Sequence, residues 1–188
     1  MTNSSRREAG HWVFGYGSLI YKVDFPYLDR AVASIRGWER RFWQGSHDHR
    51  GTPNAPGRVL TLVPSSPDQV CLGMAYRVEH EVFAHLDHRE KNGYERRRIT
   101  IRLRDSGDHV NGLVYFAGHD NPAWLGPAGI ADIAHHIDRS QGPSGSNRDY
   151  LLDLARALRE LGAVDPHVFE LESALLRSLS ADKAARPT

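Results

Sequence analysis

WVFGYGSLI, residues 12–20, is a short apolar run that breaks on two glycines and a serine. Trp12 to Tyr16 suits a β-strand, because aromatic and β-branched residues sit well on a pleated surface and glycine marks its end. The residues just past this strand separate two fold classes. A doubly wound dinucleotide-binding sheet would show a third glycine and the opening of a helix at this point; neither is present. Working outward, Arg58 to Val63 and Val70 to Val78 are further short apolar runs bounded by glycine or proline, and Val110 to Phe116 is another. After Tyr94 the residues alternate, with Ile99, Ile101 and Leu103 on one face and Arg96, Arg98, Arg102 and Arg104 on the other, as in a half-buried strand. Helical spacing appears in Val82, Phe83 and Leu86, in Ile130, Ile133 and Ile137, and in Leu151, Leu154, Ala155, Leu158 and Leu161. Gly162 should stop the last of these, and Asp165-Pro166 offers a cap and first residue for another helix. Strands early, helices late and no strict strand–helix alternation predict an α+β domain.

At 188 residues the chain is the size of one ordinary domain, large enough to bury a core without disulfide or metal staples. Residues 1–10 and 181–188 read as flexible tails, which leaves 11–180 as the folded domain. With 24 basic and 23 acidic side chains, the protein lacks the broad positive field of a nucleic-acid or membrane-surface protein, so neither partner is expected. The arginines of the alternating strand read as solvated edge protection. Cys71, the single cysteine, cannot form an internal disulfide, and its flanks Val70 and Leu72 read as strand packing. No apolar stretch near the N-terminus is long enough for a signal peptide or a membrane span. A cytoplasmic location is expected.

Four segments carry residue types that can do chemistry. In the first, Gly15 and Gly17 permit positive φ and close approach, so the loop's N–H groups and the Ser18 hydroxyl can form a nest for a carboxylate or an oxyanion; an ordinary turn has the same look. In the second, HREKNGY at 88–94, Glu90 stands where a helix gives way to an Asn-Gly turn. A partly desolvated carboxyl there is a usable general base, whereas beside Arg89 and Lys91 it also reads as a solvated surface group, and spacing alone favours the latter. The third, Arg41 to Leu62, mixes aromatics, histidines and turn formers and suggests a functional loop running into a strand. His47, Asp48 and His49, with His85 and His88, raise the question of a metal, but no HExxH or cysteine-rich set accompanies them, and no metal is expected. The fourth, GPSGSNRDY at 142–150, leads into a helix that Ser146 or Asn147 can cap, with Tyr150 either packed or turned to a ligand.

Taken in order, WVFGYGSLI, QGSHDHRGTPNAPGRVLTL, LDHREKNGY and GPSGSNRDYL closely resemble the ChaC family of γ-glutamylcyclotransferases, over roughly Trp12 to Leu161. The resemblance implies a γ-glutamylcyclotransferase-like mixed β-barrel, closed or nearly so, with packed helices. It also implies no cofactor and action on reduced glutathione, which is cut to 5-oxoproline and cysteinylglycine. By resemblance, the substrate-binding YGSL loop falls on Gly15, Tyr16, Gly17, Ser18, Leu19 and Ile20, the acid/base glutamate on Glu90, and a further substrate-binding residue on Tyr150. Tyr21 stands where the family commonly has tryptophan, and Asp149 where glutamate is frequent, which concerns only the rim of the pocket. Asp48, His49 and Arg50 are candidates for the glycine end of glutathione. Two other readings remain open: a cyclotransferase for other γ-glutamyl amines or amino acids, and a non-catalytic module that binds small anions. Nucleic-acid binding through the arginine strand is the weakest. The sequence gives no oligomeric state.

Overall fold

The computed structural model describes residues 10–90 and 93–184, and every structural statement below concerns these residues. Of the two proposed tails, residues 1–9 and 185–188 lie outside them, as do Lys91 and Asn92 of the expected Asn-Gly turn, whereas 181–184, expected to be flexible, continue the last helix. The elements are β1 (His11–Gly15), β2 (Asp29–Arg36), β3 (Trp38–Ser46), β4 (Gly57–Pro64), β5 (Val70–Val78), α1 (Val82–Arg89), β6 (Glu95–Leu103), β7 (His109–Phe116), α2 (Ile130–Arg139), β8 (Gln141–Gly142), β9 (Gly145–Ser146), α3 (Asn147–Glu160) and α4 (Pro166–Ala184). They divide into two compact units, each built from two stretches of chain: one extends to Trp38 and resumes at Pro64–Phe116, the other comprises Glu39–Val63 and the chain from Ala117.

The first unit is a closed barrel in the order β1-β5-β2-β6-β7. β1 pairs antiparallel with β5 from His11↔Val78 to Gly15↔Met74, and parallel with β7 from Trp12↔Gly112 to Phe14↔Val114. Val13, Phe14, Ala33, Ile35, Tyr76, Val78 and Ile101 are almost wholly buried, and each large side chain removed from water this way contributes roughly 1.5–3 kcal/mol. β2 escapes the sequence reading because DRAVASIR is rich in small and charged residues with weak strand preference. It is held instead by an eight-residue register against β5, from Asp29↔Arg77 to Arg36↔Val70. The alternation in β6 is as expected: Ile101 is buried while Arg96, Arg98 and Arg102 are exposed. Arg97, on the Ile101 side, lays its guanidinium over the rings of Trp38 and Phe116, at 5.4 and 5.1 Å from their centroids. Cys71 is buried, as its flanks suggest.

The second unit holds the β3–β4 pair, the small β8–β9 hairpin and helices α2, α3 and α4, which pack on one another. Their apolar stripes (Ile133 and Ile137; Leu151, Leu154 and Leu158; Val168, Leu171 and Leu175) are fully buried. α3 ends as predicted. Gly162 takes φ +70°, its N–H donates to the Arg159 carbonyl, and the Ala163 N–H donates to Leu158, the paired bonds of a Schellman cap. Asp165 then caps α4: its Oδ1 accepts from the Val168 N–H at 3.1 Å, with Pro166 as first residue, and its Oδ2 accepts from the buried Arg40 at 3.1 Å. One expectation needs correction. The functional loop read from Arg41 begins only after Ser46, because RFWQGS forms the second half of β3, where alternate residues Phe42, Gln44 and Ser46 are buried.

Candidate active site

In the barrel unit, β1 delivers the chain to Gly15 and a buried Tyr16, then through Gly17 into a one-turn 3-10 helix, Ser18–Ile20. Ile20 N–H donates to Gly17 O at 3.0 Å and Lys22 N–H to Ser18 O at 2.7 Å, which fixes the turn. The leading N–H groups of such a turn, those of Ser18 and Leu19, have no acceptor within the turn itself. Of the two properties expected of these glycines, positive φ and close approach, the first is not used. Gly17 has φ −122° and Gly15 is likewise outside the left-handed region. Gly15 is required by space instead: a Cβ there would lie 2.6 Å from the Cβ of Leu19. Tyr76 pins the loop, its hydroxyl donating to Leu19 O at 2.6 Å; burial pushes that phenol up to about 12, so it remains a donor at any working pH.

The second component arrives on α1. Val82, Phe83 and Leu86 bury one side of this helix, and its last turn carries Asp87 and Arg89. Glu90 is the C-cap, its N–H donating to Leu86 O at 2.9 Å and its side chain 20% exposed. The carboxyl thus stands at the end of a rigid element, mostly out of water. Arg89 is the residue that sequence reasoning missed. Its Nη2 donates to Ser18 Oγ at 2.7 Å, its Nη1 to Asp24 Oδ1 at 2.6 Å, and its Nε lies 3.5 Å from Glu90 Oε1. Burial alone would raise the Asp24 carboxyl, but the charge of Arg89 and the hydrogen bonds from His85 and Arg89 outweigh it and hold the group below its usual value. On the same helix, Asp87 Oδ1 accepts from the Tyr115 hydroxyl at 2.6 Å; burial, reinforced by that hydrogen bond, pushes the phenol well up, so Tyr115 is a fixed donor. The barrel unit therefore brings Ser18 of the loop and Glu90 onto one guanidinium, which adjacency in sequence could suggest for Glu90 but not for Ser18 or Asp24.

Tyr150 belongs to the helical unit. Its ring is buried, edge-on to Phe42 at 5.9 Å, with the Arg50 guanidinium 5.4 Å above it. Around it the third and fourth segments interlock. Ser144 N–H donates to His49 O at 2.9 Å, the Arg50 Nη1 donates to Ser146 O at 3.1 Å, and Ser144 Oγ is 3.0 Å from His49 Nδ1. Of the two candidate caps, Ser146 caps α3 by accepting from the Asp149 N–H. Asn147 is fully buried and bonds the Arg58 backbone in both directions, Arg58 N–H to Oδ1 at 2.6 Å and Nδ2 to Arg58 O at 2.7 Å. Asp48 lies 3.7 Å from His49, and His85 lies 3.3 Å from Asp24. Among the described residues no three His, Cys, Asp or Glu are grouped to hold a metal ion.

The sequence pattern of the family described as "ChaC-like protein" matches residues 11–178. The chain is 44% identical to Gamma-glutamylcyclotransferase 2-3 of Arabidopsis thaliana, over 90% of both chains. It is 42% identical to Glutathione-specific gamma-glutamylcyclotransferase 1 of Danio rerio, over 89% of this chain and 90% of that one. It is 37% identical to the Glutathione-specific gamma-glutamylcyclotransferase of Saccharomyces cerevisiae, over 86% and 89%. Among solved structures, a selenomethionine-labelled γ-glutamyl cyclotransferase specific to glutathione from yeast superposes with a TM-score of 0.83 at 33% identity, covering 90% of this chain and 97% of that one. A mixed five-stranded barrel with a carboxylate at the end of a helix beside a YGSL loop, matched from residue 11 to residue 178, places the chain in the ChaC family.

Proposed function

We propose that the chain is a glutathione-specific γ-glutamylcyclotransferase, converting reduced glutathione to 5-oxoproline and cysteinylglycine with Glu90 as acid/base. The observation that carries this reading is the likeness, over nearly nine-tenths of the chain, to relatives from fish and yeast named for that activity. The geometry in the barrel unit supports the assignment of the site, since Ser18 and Glu90 meet the same arginine.

The substrate supplies its own nucleophile. The γ-glutamyl α-amine attacks the δ-carbonyl, a C–N bond closes the five-membered lactam, and the bond to the cysteinyl nitrogen breaks; no water is consumed. A free α-amine is mostly protonated at neutral pH (pKa roughly 8), so ionised Glu90 takes a proton from it and returns one to the departing nitrogen. The loop residues Gly15, Tyr16, Gly17, Ser18, Leu19 and Ile20 hold the γ-glutamyl end, with the Gly17-Ser18 amides toward the α-carboxylate or the oxyanion. Holding amine against carbonyl replaces a conformational search by a near-attack geometry, for which about 7–11 kcal/mol is the upper range. Tyr150 is the remaining substrate residue in this reading. A cytoplasmic location belongs to it as well, in keeping with a reduced substrate and a buried, unbridged Cys71.

Purified protein given reduced glutathione should release 5-oxoproline and cysteinylglycine in equal amounts. Glu90→Gln should keep the fold and bind substrate while losing about two to four orders of magnitude in kcat, the usual worth of acid/base catalysis. Near-normal turnover by that variant would remove Glu90 from the role. Consumption of γ-glutamyl amino acids in preference to glutathione would overturn the specificity.

A further inference from the structure

We infer that Arg89 is a positioning residue for this reaction: its guanidinium sets the Ser18 loop and the Glu90 carboxylate in one fixed relation, with Asp24 as its anchor. The inference rests on the reading of Glu90 and the loop as the reactive centre. The three nitrogens of the guanidinium have three different neighbours. Nη2 donates to Ser18 Oγ at 2.7 Å, Nη1 to Asp24 Oδ1 at 2.6 Å, and Nε faces Glu90 Oε1 at 3.5 Å. The Arg89 side chain is 16% exposed and that of Glu90 20%, so the inner face of the guanidinium is sheltered, while Asp24, at 45%, anchors it from the water side.

A guanidinium is planar and rigid, so fixing two of its corners fixes the third. Asp24 lies in the chain just after the YGSL turn, and Ser18 within it; Arg89 ends α1 and Glu90 caps it. One side chain therefore joins the loop to the helix end, although Ser18 and Arg89 are 71 positions apart along the chain. The chemistry needs this, because the loop orients the amine and carbonyl while the proton acceptor comes from α1. A misplacement of about 1 Å between such groups can cost about 100-fold in rate. The C-terminal end of a helix is also the wrong pole for a carboxylate, and Arg89 supplies the local positive charge there. Donation from Nη2 further occupies a lone pair of Ser18 Oγ and leaves its O–H to point elsewhere.

Lysine distinguishes the roles, since it keeps the charge but has no planar fork. The experiment measures kcat and KM for glutathione, and Tm, for wild type, Arg89→Lys, Arg89→Gln, Asp24→Asn, Ser18→Ala and the double variant Arg89→Lys/Ser18→Ala. With Arg89→Lys, kcat should fall about 10- to 100-fold and KM rise about 3- to 10-fold, while Tm stays within a few degrees. Arg89→Gln should lose more, and millimolar guanidinium should restore part of its activity. Asp24→Asn, which weakens the anchor on Nη1, should move kcat in the same direction by a smaller factor. Adding Ser18→Ala to Arg89→Lys should cost less than it does alone, because the two act through one contact. Full activity in Arg89→Lys would reduce the role to charge alone and overturn the inference. A lowered Tm with unchanged KM and unchanged kcat per folded molecule would reduce it to structure and overturn it equally. Wild type without turnover of glutathione would instead remove the functional reading, and this inference with it.

Discussion

His167 gives the sharpest quantitative expectation. Its Nε2 accepts the Phe42 N–H at 3.0 Å, which only the unprotonated ring can do. Burial, with the Arg41 charge adding to it and Asp165 partly opposing, lowers the imidazole from 6.5 to about 4. Protonation turns an acceptor into a donor that faces another donor, inside a helix start already occupied by the Arg40–Asp165 pair. A fall from 6.5 to about 4 corresponds to about 3.5 kcal/mol at about 1.4 kcal/mol per pH unit, and part exposure of the ring reduces this to about 2. The sign comes from the depressed folded value: the unfolded chain takes up the proton first as pH falls. The contribution is therefore fully present above pH 6.5 and is lost progressively between 6.5 and about 4. Urea denaturation of wild type and His167→Gln between pH 4 and 7.5 isolates it, because glutamine offers an acceptor that does not titrate. The gap between the two should shrink by about 2 kcal/mol toward acid. Parallel curves over the whole range would refute this linkage.

Single contacts carry the other expectations. Asn147→Ala leaves the buried N–H and C=O of Arg58 without their partner and should cost about 2–4 kcal/mol in denaturant titrations, with kcat/KM falling as the interlock of the third and fourth segments loosens. Gly15→Ala places a methyl 2.6 Å from Leu19 Cβ; it should raise the KM for glutathione by about tenfold or more and lower stability by about 1–3 kcal/mol. We read residues 11–180 as one domain, so tryptophan fluorescence and far-UV circular dichroism should report one coincident unfolding transition.

What could be read in the sequence was whatever rests on local pattern. The alternation of Ile99, Ile101 and Leu103, the cap at Asp165-Pro166 and the stop at Gly162 are set by neighbours along the chain, and each appears where periodicity and capping chemistry put it. β2 was illegible because DRAVASIR becomes a strand only through its register with β5. The extent of β3 was misread for a related reason: the glycine and polar residues of WQGS look like a loop until the burial of Gln44 and Ser46 is known. In the site, Glu90 and the loop came from motifs, whereas the role of Gly15 lies in a contact with Leu19 rather than in its own dihedral freedom. Arg89 enters the sequence reading only as a neighbour that makes Glu90 look solvated, since its own partners Ser18 and Asp24 lie 71 and 65 positions back along the chain.

The strand order of the barrel sets a schedule for synthesis. β1, which carries the YGSL loop, is flanked by β5 and β7, so its pairing is incomplete until the chain has been made as far as Phe116. The motif translated first is thus among the last to be assembled, and a ribosome stalled between β5 and β7 holds a nascent chain whose apolar N-terminal strand still offers one edge to any passing strand. For such a chain, the hazard of aggregation is concentrated in that interval of translation, and the release of catalytic competence comes after it.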